Sequence, residues 1–179
     1  MKELELKFLE IDKASLVEKL QERGARLTVD SVLRTVYFDT VNGDFKRKNE
    51  LFRLRTFGDK IELCRKVNMR LEDGCKVHDE LEVHVSDFDK IVELLETLGY
   101  VQAIYFEKRR TEYVLEDGTK FEIDEFPGVP VFLEIEALDA ARIEELVLEF
   151  DLSQYETTPA TGQEVLKEKY GVDMVGLKF

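Results

Sequence analysis

Histidine, cysteine and tryptophan are nearly missing from this chain: two, two and none among 179 residues. Cys64 and Cys75 show neither CxxC nor His/Cys ligand spacing, which excludes a disulfide scaffold and reads as reduced, intracellular thiols. With only His78 and His84 a zinc centre is not expected. Positive charge is also short. Against 39 Asp and Glu stand 26 Lys and Arg, a net charge of −13, and a broad nucleic-acid surface needs the opposite balance to displace counterions. Any anion site must therefore be local, built against the overall field. No apolar run approaches the ~20 residues of a membrane span, and the N-terminus lacks a basic-then-apolar signal. The expectation is a cytoplasmic protein with no membrane or nucleic-acid partner. Walker-type GKS/GKT and GxGxxG loops are absent, so a bound phosphate would be held by side chains.

What is present is alternation. Glu3-Leu4-Glu5-Leu6-Lys7 places Glu3, Glu5 and Lys7 on one face of a strand and Leu4, Leu6 and Phe8 on the other. Strands are predicted over 2–10, 33–39, 51–57, 60–67, 78–85, 104–115, 120–125 and 131–137. Helices are predicted over 13–23, capped by Asp12 and stopped by Gly24, over 87–98, stopped by Gly99, and near 140–150 and 162–170. Asn42-Gly43, Gly58-Asp59, Asp117-Gly118 and Pro127-Gly128 supply turns. The pattern restarts half-way: Glu80-Leu81-Glu82-Val83-His84 repeats the opening, Asp89-Lys90 matches Asp12-Lys13, and Arg110-Thr111-Glu112-Tyr113 matches Arg34-Thr35-Val36-Tyr37. With 44% hydrophobic residues and no linker, the chain reads as one α+β domain, 1–179, of two half-repeats, about 1–76 and 77–179. Antiparallel strands with one charged and one apolar face close into a barrel whose lumen is polar and whose outside is covered by helices. Two ordinary α+β layers with the charges in solvent remain the alternative at this point.

Strand parity favours the barrel, because six strands each gather charge on one face. Glu3, Glu5, Asp124, Glu134 and Glu136 are hard oxygen donors, suited to Mg²⁺ or Mn²⁺. Lys7, Arg53, Arg55, Lys66, Lys108 and Arg110 are phosphate donors, the arginines as bidentate forks and the lysines as point charges. Both sets in one cavity point to a metal-bound polyphosphate. Glu80, Glu82, His78 and His84 fit a structural ion pair as well as a site, and Lys46-Arg47-Lys48 reads as a solvated loop.

These residues resemble the CYTH family, or triphosphate tunnel metalloenzymes, whose hallmark is an N-terminal ExExK strand. Glu3-Leu4-Glu5-Leu6-Lys7 matches that hallmark, Tyr37-Phe38-Asp39-Thr40 is similar to the family's strand end, and Phe52-Arg53-Leu54-Arg55 to its paired arginines. Lys66, the Lys108/Arg110 pair, and Asp124 with Glu134-Ile135-Glu136 complete the ordered series. The resemblance implies an eight-stranded antiparallel tunnel binding a small-molecule triphosphate with Mg²⁺ or Mn²⁺, and leaves a homodimer open. Members include class IV adenylyl cyclases and thiamine and inorganic triphosphatases. Enteric-type cyclases carry a His-Phe pair several residues ahead of ExExK, and the segment before Glu3 here is too short for one; Gln163-Glu164-Val165-Leu166 replaces the serine-tyrosine start of the last helix. The leading expectation is therefore a triphosphate hydrolase, with Glu5, Glu82 and Glu134 as candidate catalytic residues. A class IV adenylyl cyclase is the alternative, and a non-catalytic triphosphate-binding module the third reading.

Overall fold

The computed structural model describes residues 2–72 and 75–179, without the side chains of Lys2 and Glu3. Strands β1 (Lys2–Leu9), β2 (Arg26–Thr40), β3 (Leu51–Phe57), β4 (Lys60–Glu72), β5 (Cys75–Val85), β6 (Tyr100–Val114), β7 (Lys120–Glu125) and β8 (Phe132–Ala137) form one antiparallel sheet. Its order is β5-β4-β3-β2-β6-β7-β8-β1, and β1 pairs with β5 to close it. The result is an eight-stranded antiparallel barrel with helices packed outside, as the parity of the charges required. A two-residue strand, β9 (Thr157–Thr158), pairs with Lys7 and Phe8 of β1.

Helix α1 (Lys13–Glu22) starts at Asp12, whose carboxylate accepts from the Ser15 amide at 3.1 Å. Helix α2 is the single turn Asp44–Arg47, and α3 (Phe88–Thr97) and α4 (Ala140–Glu149) are capped by Asp87 and Asp139. The last helix, α5 (Gly162–Tyr170), opens with a Thr161/Glu164 capping box and ends at Gly171 in the left-handed region. The outer barrel face packs in two layers: α1 and α4 on β1, β7 and β8, around Phe8, Leu20, Phe121 and Leu146, and α3 on β2 and β3, around Val36, Phe38 and Leu54.

Several boundaries moved outward. β2 and β6 run to 15 residues each and pair with one another from Arg26/Val114 to Thr40/Tyr100, joining the two halves over more rungs than 33–39 and 104–115 suggested. β4 and β5 likewise extend past 67 and ahead of 78, across an irregularity between Val67 and Arg70. Lys46-Arg47-Lys48 is not a plain loop, because the Asp39 carboxylate accepts from the amides of Thr40, Phe45 and Lys46 at 2.7, 2.9 and 3.1 Å and winds α2. The element order β-α-β-β-β occurs twice, but two of the matched segments do not correspond. Asp87, not Asp89, occupies the cap position of Asp12. Arg34 is half-exposed on the outside beside Asp89, whereas Arg110 is 3% exposed in the lumen.

Phe121 is fully buried between barrel and α4, its ring 4.9 Å from that of Phe150. Phe121→Ala is expected to cost about 3–5 kcal/mol, seen in urea titration as a lower midpoint with an unchanged slope.

Candidate functional site

Most strands turn their charged parity inward and their apolar parity toward the helices, and the barrel interior is a cavity of about 900 Å³. The sequence-predicted residues Glu5, Lys7, Arg53, Arg55, Lys66, Glu82, Lys108, Arg110, Asp124, Glu134 and Glu136 all line it. Glu3 has its backbone on β1 opposite His78, and its side chain lies outside the described residues.

Inside, acid and base are interleaved. Lys7 pairs with Glu134, and Arg110 grips Asp124 with two bonds of 2.7 and 2.6 Å while also reaching Glu122 and, at 3.2 Å, Glu134. Lys108 shares Asp124 at 2.6 Å. Across the lumen Arg55 meets Glu62 at 2.6 Å, and Lys66 lies 2.8 Å from Glu80 and 2.7 Å from His78 Nε2. Arg53 reaches Glu80 only at 3.8 Å, and its Nε is buried without a hydrogen-bond partner among the described residues. Lys76 pairs with Glu5 and Lys120 with Glu136 at 2.6 Å. Neither lysine was singled out from sequence as a site residue, nor were Glu62 and Glu122, although Glu62, Lys120 and Glu122 already stood on the charged parity of their strands.

The local field sets protonation. Burial opposes the Glu134 charge, but Lys7, Lys108 and Arg110 together hold its carboxyl well below the usual range. Glu122 goes the other way: burial, reinforced by Glu136, Glu134 and Asp124 against the pull of Arg110, lifts it to about 7. Burial, with Arg110 beside it, lowers Lys108 to about 8 despite Asp124. Burial pushes the Cys64 thiol up to about 12, so it stays protonated and donates to Glu80 at 2.8 Å.

The lumen changes character along its length. Two residues beyond the charges, the same faces carry Leu9, Phe106, Phe126 and Phe132, which pack with Val165 and Leu166 of α5 and with Met174. Register puts α2 at this end too, since β2 ends and β3 begins there. Sequence reasoning stopped the parity count at the last charge and missed this apolar end. At the far end lie Phe57, Glu62, Glu82 and His84.

A divalent ion fits the donor chemistry, hard carboxylate oxygens in a polar lumen. The expected ligands Glu5, Asp124, Glu134 and Glu136 each neutralise a lysine or arginine here. Among the described residues the groups close enough to share one ion are instead Glu62/Glu82/His84 and Cys64/Glu80/Glu82, and the protonated Cys64 thiol is a poor ligand in the second.

The family model of the CYTH domain matches residues 1–174. The chain belongs to the CYTH family. Among its relatives, a candidate adenylate cyclase of Methanocaldococcus jannaschii is 28% identical over 136 residues, covering 76% of this chain and 77% of that protein. A candidate adenylate cyclase of Vibrio parahaemolyticus superposes with a TM-score of 0.77 at 17% identity, over 92% of this chain and 97% of that one. A candidate adenylyl cyclase of Hippeastrum with a dominant triphosphatase activity gives 0.66 at 18%, over 94% and 95%. At such identities the two solved structures speak for the fold. Among the described residues no helix is long and apolar enough to cross a membrane.

Two titrations dictate the pH response. As pH rises, Glu122 loses its proton near 7 and Lys108 loses its charge near 8, and both make the lumen more negative. If the lumen binds tripolyphosphate as proposed below, its affinity, measured by calorimetry with Mg²⁺ held constant and corrected for the ligand's own ionisation, is expected to fall roughly tenfold from pH 6.5 to 9. Lys108→Arg combined with Glu122→Gln should flatten that profile.

Proposed function

We propose that this CYTH protein binds a nucleoside triphosphate with a divalent metal and converts ATP to cyclic AMP and pyrophosphate. The observation that carries the reading is the two-part lumen: a charged belt continuous with an aromatic end between α2 and α5. A volume of about 900 Å³ sits high in the roughly 300–1,000 Å³ range of small-molecule sites, leaving room beside three phosphates for an organic group. Phe106, Phe126 and Phe132, each 5% exposed or less, close that end as an apolar wall beside which the group would lie. The Methanocaldococcus relative, a candidate adenylate cyclase, supports the same reaction, so cyclisation takes precedence over the hydrolysis expected from sequence.

In this reading Lys7, Arg53, Arg55, Lys66, Lys108 and Arg110 bind the phosphate chain, with Arg53 Nε a donor ready for an oxygen. Glu5, Asp124, Glu134 and Glu136, with Glu3, would hold Mg²⁺ or Mn²⁺, which when bound would supply charge neutralisation at the phosphoryl oxygens. The ribose 3′-oxygen bonds to the α-phosphorus, the bond to the bridging oxygen breaks, pyrophosphate leaves, and the hydroxyl proton passes to solvent or a lumen carboxylate. Glu5 and Glu134 are the carboxylates proposed to act closest to the reacting atoms, and Glu82, at the far rim, faces the leaving pyrophosphate. Positioning and electrostatics carry the rate.

Hydrolysis of a triphosphate is the second reading, favoured by the dominant triphosphatase activity of the Hippeastrum protein. Incubation with ATP or tripolyphosphate, with Mg²⁺ or Mn²⁺, followed by phosphorus NMR separates the readings. Cyclic AMP with pyrophosphate is expected. Orthophosphate as the main product would make the chain a hydrolase, and binding without product would make it a non-catalytic module. Arg55→Ala is expected to weaken either ligand at least tenfold. Phe106→Leu should raise the ATP Kd several-fold and leave tripolyphosphate unchanged, as measured by calorimetry.

A further inference from the structure

Strand β1 closes the barrel against β5, but only over part of β5. Their register runs from Glu5/Lys76 to Lys2/Asp79 and stops there, while β5 continues through Val85. From Leu81 to Val85 the strand pairs with β4 on one side. Among the described residues no strand and no backbone hydrogen bond occupies its other side. An edge of unpaired amides and carbonyls is a template for another strand, and proteins ordinarily blunt it with lysine, proline or a bulge. None of these occurs in Leu81-Glu82-Val83-His84-Val85. Leu81 and Val83, on the outer parity, are 71% and 50% exposed beside the open edge.

The side chains of this edge select what fits it. In an antiparallel pair directly opposite residues share a face, so a twofold axis between two identical strands has to pass through a residue. An axis at Glu82 would set that carboxylate against its own copy, and like charges directly opposite are destabilising. An axis at His84 would run Leu81 past the end of the strand. With the axis at Val83, Val83 meets Val83, Leu81 meets Val85, and Glu82 meets His84, the last two contacts made twice. The His84 ring is 53% exposed, and its Nε2 lies 3.9 Å from Oε1 of both Glu62 and Glu82 in its own chain, beyond hydrogen-bond length. It can therefore turn to a carboxylate across the axis.

We propose that the edge Leu81–Val85 docks on the same edge of a second copy of this chain, antiparallel about a twofold axis at Val83, so that the two barrels share one continuous sheet β4-β5-β5-β4. The contact is isologous: main-chain hydrogen bonds supply its affinity, and the alternating side chains fix its register. Five residues a side lie at the small end of specific interfaces, so a dissociation constant on the order of 10 µM is expected. Pairing also brings the imidazole of each copy to the far rim of the other tunnel. The dimer stands whichever reaction the tunnel runs.

Sedimentation velocity of the full chain, from about 1 to about 200 µM, tests the proposal. The wild-type chain is expected to pass from monomer to dimer across that range. Because a residue on the axis meets itself, Val83→Lys and Val83→Glu should each raise the dissociation constant at least tenfold, and an equimolar mixture of the two should restore the dimer. Val83 is half-exposed and outside the lumen, so both variants should keep the fold, checked by circular dichroism, and recovery in the mixture would itself rule out misfolding. A wild-type chain that stays monomeric throughout would overturn the proposal and leave the edge to a strand of another protein. A dimer indifferent to Val83→Lys, or two variants that fail to associate when mixed, would overturn it as well.

Discussion

Everything in this molecule answers to one electrostatic requirement: a lumen lined by ionised groups must be neutral nearly residue by residue. Taking a single charge out of water costs several kcal/mol, and removing one member of a buried pair leaves a penalty of about 3–5 kcal/mol. The barrel meets that requirement by pairing Lys7 with Glu134, Lys76 with Glu5, Arg110 with Asp124, Arg55 with Glu62 and Lys66 with Glu80. The pairs also join strands, β1 to β8, β5 to β1, β6 to β7, β3 to β4 and β4 to β5, so the network that neutralises the interior also fixes the register around it.

Ligand chemistry follows from the same pairing. Phosphate donors and metal ligands were separable on paper, but in the folded chain each is the other's counterion. A metal–polyphosphate complex presents both signs at once: its oxygens can take over from the carboxylates at the arginines and lysines, and its cation can take over from the ammonium groups at the carboxylates. A lone polyanion or a lone cation would satisfy one set and strand the other. In the proposed function the lumen is therefore matched to the complex rather than to either component, and bare donor counts along the strands do not reveal that coupling.

Legibility from sequence was uneven for physical reasons. The closed barrel was readable because a charged face cannot be buried unless it turns inward onto a shared cavity, and period-two alternation on six strands said which face that was. Long strands were underestimated where Asp30 and Ser31 interrupt β2 and where Asn68 takes a positive φ of 55° in β4. Arg34 was matched to Arg110 by identity alone, and the two point to opposite faces. Lys76 escaped because the predicted strand began only at 78, whereas β5 begins at Cys75, and Lys120 stood on the charged parity of its strand without being sorted among the phosphate donors; in the free protein each offsets a single carboxylate. The aromatic end escaped for a simpler reason: Leu9, Phe106, Phe126 and Phe132 look like ordinary core until the charged face is followed past its last charge.

That apolar end also bears on why family membership does not choose a reaction. The charged belt is what the CYTH pattern specifies, and under the proposed function it would grip any triphosphate. Discrimination has to come from what adjoins the belt, and here the adjoining surface is built by α5 and the chain that follows it. Gly176 donates its amide to Tyr105 and Glu107 donates to Leu177, at 2.8 Å each, so the C-terminal segment is stitched to β6 just where β7 has stopped pairing with it. β9 does the same for β1 where β5 departs. Both edges that the barrel leaves open at this end are thus closed by residues 157–177, so the apolar floor at this end is built by the last segment of the CYTH domain and the residues that follow it. A substitution there can change which organic group is accepted while leaving every phosphate contact in place, whereas a substitution in the belt cannot discriminate without also damaging the grip on the triphosphate.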